Sequence, residues 1–161
     1  MSNSSLTVKQ LYDEFADPIY RFIYWHTSDP LIAEDLVGEV FFRAWKHNQQ
    51  IRQGNQRAWL YRVARNLIID YYRRRKDEVL DESNEIRSDY DLHQEAERND
   101  TNDHLHRVLA DLPLESRTII VLRFFEHLSA KEVAGIMGRS EANIRVLQHR
   151  ALKTLKQRLA L

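Results

Sequence analysis

The chain has 161 residues, enough for one ordinary domain or two small ones, and its 43% hydrophobic content can supply real cores. It contains no cysteine, which excludes disulfides, cysteine–zinc sites, thiol nucleophiles and thiol redox sensing. Its formal charge is zero, with 24 basic residues against 24 acidic ones, but the two signs are unevenly distributed along the chain.

The N-terminus, MSNSSLTVKQLYDEF, has no basic start followed by an apolar run. No later segment approaches the ~18 uninterrupted apolar residues of a membrane span. The expectation is a cytoplasmic protein without membrane insertion. Four glycines and three prolines punctuate long apolar-periodic stretches with little β-branched alternation, so the expected fold class is all-α. A first helical block is expected over residues 6–76, broken at Ser28-Asp29-Pro30 and again between Asn48 and Gln56.

Within that block, Arg57 to Lys76 holds six arginines and one lysine against Asp70, a net of +6. At about 100° per residue, Leu60, Val63, Ala64, Leu67, Ile68 and Tyr71 form an apolar stripe. Arg62, Arg65, Asn66, Ile69 and Arg73 fall on the opposite side, bordered by Tyr61 and Tyr72. Guanidinium groups neutralise phosphates and aromatic faces stack on unpaired bases, so this mixture suits a nucleic-acid strand. Residues 77–103 reverse the sign, with eleven acids against two arginines, a net of −9, and few large apolar side chains. That composition predicts a flexible acidic linker.

The second helical block is expected over residues 104–161. Ser129 and Glu132 have capping-box spacing, Gly138 suits a tight turn, and Ser140 can cap the helix that follows. Two helices joined by a short glycine turn make a helix-turn-helix. In its second helix Ile144, Leu147, Ala151 and Leu155 form the buried stripe. Arg145, Val146, His149 and Lys153 face outward with Arg150 to the side, which reads as a major-groove surface. His104 and His106, two apart, point to different helix sides and are expected at the surface rather than on a metal. No cofactor is expected, and without a phosphate loop an enzyme is disfavoured.

Three segments, AEDLVGEVFFRAW, WLYRVARNLIIDYYRRR and LPLESRTIIVLRFFEHLSAKEVAGIMGRSEANIRVLQHRALKTL, occur in the order found in bacterial sigma factors of the extracytoplasmic-function (ECF) group of the sigma-70 family. The resemblance covers nearly the whole chain apart from its extreme N-terminus and the acidic linker. It implies a sigma region 2 bundle at 6–76 that binds the clamp helices of core RNA polymerase and captures the minus-10 element as single strand. It also implies a region 4 helix-turn-helix at 104–161 that reads the minus-35 element of promoter DNA and docks on the polymerase flap. By the same match Asp35, Glu39 and Arg43 face polymerase, while Phe41 or Phe42, with Trp45, lies in the core. Gly38 stands where the family commonly has glutamine.

The resemblance further implies a pocket for a flipped minus-10 base, built from the loop Gln53 to Gln56, including Asn55, together with Asn66. Asn66 would read a base edge, and Arg62, Arg65 and Arg73 would hold phosphates. The minus-35 readers map to Arg145, Val146, His149 and Arg150, with Lys153 on a phosphate.

Promoter elements two duplex turns apart are separated by on the order of 60 Å. A flexible linker of about 27 residues averages roughly 30 Å and reaches at most about 90 Å, so polymerase is expected to hold the two readers apart. Control is expected through an anti-sigma partner that covers the faces polymerase needs. The rival reading is a stand-alone helix-turn-helix regulator of duplex DNA, which would need neither the clamp-like motif nor the basic aromatic helix.

Overall fold

Local chemistry sets the ends of the helices. The computed structural model describes residues 7–52, 54–81 and 100–159. Helix α1 (Val8–Thr27) starts at a capping box in which the Gln10 amide donates to the Thr7 hydroxyl (3.2 Å) and the Thr7 amide donates to Gln10 Oε1 (2.8 Å). It ends at Ser28, whose φ of 56° is left-handed. Asp29 then caps α2 (Pro30–Lys46), accepting from the Leu31 and Ile32 amides, and Pro30 takes the first helical position, where its missing N–H costs nothing. The expected break at Ser28-Asp29-Pro30 is therefore a C-cap followed directly by an N-cap.

Helix α3 (Gln56–Asp81) follows the second expected break and continues five residues beyond Lys76, into the acidic segment. No glycine or proline stops it there. The rest of the expected linker, residues 82–99, lies outside the described residues, as does Gln53. Helix α4 (Asp100–Asp111) begins four residues before His104. Pro113 separates it from α5 (Leu114–Ile120), which runs into a π turn over Val121–Phe125. Helices α6 (Ala130–Met137) and α7 (Glu141–Arg158) form the expected helix-turn-helix. Ser129 and Glu132 close the capping box, Gly138 sits at φ 66°, and the Ser140 hydroxyl accepts from the Asn143 amide. Every described element is helical, as the sequence predicts.

Helices α1–α3 enclose Leu11, Ile19, Phe22, Ile23, Val40, Phe41, Leu60, Ala64 and Ile68. The C-terminal helices enclose Ile119, Leu122, Val133, Ile136 and Ile144, and these belong to the same continuous apolar cluster. Burying each such side chain contributes about 1.5–3 kcal/mol. Trp25 and Phe125 pack against both this cluster and a smaller one around Leu109, Leu112, Ile120 and Ala151. The two helical domains therefore meet through apolar side chains.

Three placements differ from expectation. Phe41 is core, but Trp45 is 63% exposed and Phe42 53% exposed, because the inner stripe of α2 is already filled by Ala33, Val37, Val40, Phe41 and Ala44. Tyr61 does not border an open face: it is buried edge-on against Phe22. His104 is exposed, whereas His106 is buried, its ring stacked 4.1 Å from Trp25. An aromatic ring from the other domain has taken it out of water.

Candidate nucleic-acid interface

The polar edge of α3 forms one candidate surface. Its apolar stripe is as the sequence predicts, with Leu60, Ala64, Leu67 and Ile68 buried and Val63 and Tyr71 half-buried. Arg62, Asn66 and Arg73 are exposed on the other side, and Arg65 is half-buried. Arg73 lies 3.8 Å from Asp70, an exposed pair worth little. The loop before α3 places Asn55, exposed, and Gln56, half-buried, near the same end; Gln56 Oε1 accepts from the Gly54 amide at 2.9 Å. Gly54 has φ 90°, a conformation that strains any residue with a Cβ.

That end of α3 is exposed but lies beside region 4. It borders a cleft of about 670 Å³ whose other wall is α6, with Arg52, Asn55, Arg57 and Arg62 on one side and Lys131 and Glu132 on the other. Arg57 pairs with Glu132, and Arg62 Nη2 donates to the Gly135 carbonyl at 3.1 Å. Arg57 and Glu132 were not singled out as contact residues by sequence reasoning. The capping role of Glu132 was legible, but its reach across to α3 has no local signature.

The outward face of α7 forms a second surface. Ile144 and Ala151 are buried and Leu147 and Leu155 half-buried, leaving Arg145, Val146, His149, Arg150 and Lys153 all exposed. Val146 is 48% exposed, an apolar patch within a cationic face. Glu141 holds Arg145 at 2.7 Å, one turn away on the same helix. That exposed pair orients the guanidinium outward at little cost in its availability.

The third surface is the outer side of α2. Asp35 is exposed, Glu39 and Arg43 are half-buried and form an i,i+4 pair at 3.1 Å, and Phe42 and Trp45 stand out beside them with ring centroids 6.1 Å apart. Gly38 sits in the middle, and a Cβ there would meet nothing within 4 Å.

Between the domains lies a polar network that the sequence does not announce. His26 is buried, with Nδ1 2.8 Å from the Phe22 carbonyl and Nε2 2.9 Å from the Thr118 hydroxyl. Since a carbonyl only accepts, Nδ1 carries the proton, and the single proton of the Thr118 hydroxyl is shared between Nε2 and the Leu114 carbonyl, 2.8 Å away. Burial pushes the imidazole down to about 3, with the Arg117 charge adding to it, so His26 is neutral at pH 7. Glu126 accepts from Arg21 at 3.3 Å and from the Tyr61 hydroxyl at 3.2 Å. Burial pushes its carboxyl up against the pull of these donors, and burial and then the Glu126 charge push the Tyr61 phenol up as well. Among the described residues there is no cluster of side chains that could hold a metal ion, and no helix long and apolar enough to cross a membrane.

Comparison with known proteins accounts for this architecture. The sigma-70 region 2 family model matches residues 11–78 and the sigma-70 region 4 model residues 103–155. The ECF RNA polymerase sigma factor SigM of Bacillus subtilis is 33% identical over 153 residues, covering 94% of each chain. The ECF sigma factor BldN of Streptomyces coelicolor is 34% identical over 159 residues, which is 93% of this chain and 59% of that longer relative. The sigma factor RpoE, solved in complex with the anti-sigma factor NepR from Bartonella quintana, matches with a TM-score of 0.77 and 27% identity, covering 95% of this chain and 96% of that one. Two region models in the right order, and a relative matched along almost its whole length, place this chain in the ECF group of the sigma-70 family.

Proposed function

We propose that this ECF sigma factor serves as a dissociable specificity subunit of RNA polymerase, acting in the cytoplasm and carrying no catalytic chemistry of its own. In this reading region 2 spans about residues 6–76 and region 4 about residues 104–161. The observation that carries it is the separation of two unlike nucleic-acid surfaces on two helical units, with an exposed aromatic face on α2 left over for a protein partner. A stand-alone regulator of duplex DNA has use only for the α7 face.

The roles follow from chemistry and exposure. Arg145 can pair bidentately with guanine, Val146 can meet a thymine methyl, His149 and Arg150 flank them, and Lys153 neutralises a phosphate. Asn66 offers a donor and an acceptor to a flipped minus-10 base, with Asn55 and Gln56 from the preceding loop; Gln53 shares that role in sequence only. Arg62, Arg65 and Arg73 hold the backbone of the strand. On α2, Asp35, Glu39 and Arg43 make the polar contacts with the polymerase clamp, around the Phe42–Trp45 pair. An anti-sigma protein of the kind bound to RpoE would compete for these surfaces.

Reconstitution is the test. Core polymerase mixed with the purified chain is expected to form a stable complex and to start transcripts at specific promoters, whereas the chain alone binds promoter duplex weakly. Tight specific duplex binding by the chain alone, with core polymerase still unable to initiate, would sink the proposal.

A further inference from the structure

We infer that Arg139, in the turn between α6 and α7, fixes the side chain of Asn143 as a hydrogen-bond donor to the major groove, so that Asn143 selects a keto base, guanine or thymine, at one base pair of the minus-35 element. The inference rests on the major-groove role proposed for α7 and adds to it a reader and the residue that positions that reader.

Placement on the helix comes first. Asn143 lies three residues before Val146 and seven before Arg150, spacings that put all three on one side of α7. It is half-buried in the first turn, and the N-terminal residues of a recognition helix are the ones that meet base edges. Its backbone amide donates to the Ser140 hydroxyl at 3.1 Å, so helix capping uses the main chain of Asn143 and leaves the side chain for another purpose.

Orientation comes from Arg139. Its Nη1 donates to Asn143 Oδ1 at 3.0 Å. A guanidinium only donates, so the amide turns its oxygen to Arg139, and the NH2 group is the edge left for a ligand. Arg139 is itself anchored twice. Its backbone amide donates to the Ala134 carbonyl at 3.0 Å, next to Gly138 in its left-handed conformation, and its Nε pairs with Glu115 at the start of α5. Each exposed contact is weak alone. Together Glu115, Arg139 and Asn143 form a chain that runs from α5 to the reading face.

That chain has a consequence for base sequence. An unrestrained asparagine reads adenine, accepting from N6 and donating to N7 together. With its oxygen turned to Arg139, Asn143 loses this bidentate pairing and keeps a donor. Guanine presents O6 and N7, and thymine presents O4, all acceptors, whereas adenine and cytosine each place an amino donor on the same edge. Guanine or thymine is therefore favoured on the strand facing Asn143 by about fivefold, roughly the net worth of one hydrogen bond.

The test uses the full chain bound to core polymerase, in competition binding to promoters carrying each of the four base pairs at each minus-35 position. The native holoenzyme is expected to favour guanine or thymine at one position. Asn143→Ala should abolish that preference while keeping the discrimination due to Arg145. Asn143→Asp puts an acceptor where the NH2 stood, at a helix start that favours a carboxylate, and should reverse the preference toward cytosine or adenine. Arg139→Ala frees the amide and should shift the preference to adenine, and Glu115→Gln, which weakens the anchor, should shift it partway. If Arg145→Ala loses discrimination at its own base pair while the Asn143 and Arg139 variants match the native base preferences everywhere, or weaken all sequences evenly, the inference is overturned and the α7 reading stands. A native holoenzyme indifferent to every minus-35 base pair would overturn both.

Discussion

Arg117 of α5 donates from Nη1 to the main-chain carbonyl of His26 at 3.0 Å, joining residues 91 apart in the chain. The same guanidinium reaches Leu109 O (2.9 Å), Ala110 O (2.9 Å) and Leu112 O (3.4 Å) at the end of α4, and the Tyr72 hydroxyl (3.1 Å). His26 O lies in the last turn of α1, and it also accepts the Tyr72 hydroxyl. Helix ends leave carbonyls unpaired and carry partial negative charge. One buried cation thus satisfies the orphan carbonyls of α1 and α4 together, and fastens region 4 to region 2 while doing so.

Removing it should be severe. Arg117→Ala is expected to cost on the order of 3–5 kcal/mol in urea unfolding, because several buried acceptors lose their donor. Arg117→Lys keeps the charge but not the fork, and should recover only part of the loss. Equal stability of the alanine variant and the native chain would show that water replaces the guanidinium without penalty.

Acid should loosen the same junction. His26, neutral in the native fold and held at about 3, returns to about 6.5 when exposed. A base with a lowered native value contributes stability that is present above pH 6.5 and is lost as pH falls. Between pH 7 and pH 5 the loss is about 2 kcal/mol. Glu126, a carboxyl raised by burial, opposes this, since its protonation favours the native form at low pH. Urea titrations at the two pH values should show a shallower pH dependence for His26→Gln than for the native chain. For Glu126→Gln the dependence should be steeper.

Gly38 provides a stability gain that bears on function. Its α2 site is exposed and a Cβ there meets nothing within 4 Å, so Gly38→Gln should stabilise the fold by about 0.5 kcal/mol through helix propensity. If α2 docks on polymerase as proposed, the added side chain also restores a polar contact, and affinity for core should hold or rise. Loss of core binding in a more stable variant would mean that the partner needs the glycine's bare backbone.

For the strand reader, Asn66→Ala is expected to change which minus-10 sequences are used while leaving polymerase binding intact, since the side chain is exposed. Arg62→Ala should lower the use of all promoters and soften the salt dependence. Its loss also frees the Gly135 carbonyl, so urea unfolding of the same variant separates lost strand contacts from lost stability. Unfolding of the asparagine variant would make that residue structural.

On the major-groove helix, Arg145→Ala should cost roughly 1–3 kcal/mol of discrimination at one minus-35 position. Lys153→Ala should weaken all sequences evenly and by less. The substitution at Arg145 also frees Glu141, so binding to a set of single-base variants, rather than overall affinity, is the measurement that separates the roles.

Much of this protein is determined by local sequence. Ser28-Asp29-Pro30, the Ser129–Glu132 box, Gly138 and Ser140 act within a few residues of themselves, so the helix ends they set are readable without a fold. Helical phase likewise determined which sides of α3 and α7 turn inward, because 3.6 residues per turn is a property of the backbone. Phase tells which side a residue is on, not what covers that side, and this was decided only by tertiary structure. Trp45 is large and apolar yet exposed, because smaller neighbours already fill the inner stripe. Tyr61 and His106, which fall near polar sides of their helices, are buried, Tyr61 against Phe22 of its own domain with its hydroxyl on Glu126, and His106 under Trp25 of the other domain. Arg117 and His26 are ordinary residues in their own segments and become a junction only when the ends of α1 and α4 meet. The charge of α3 was written in the sequence, but whether its arginines face a strand or α6 depends on the packing of two domains, which no local spacing encodes.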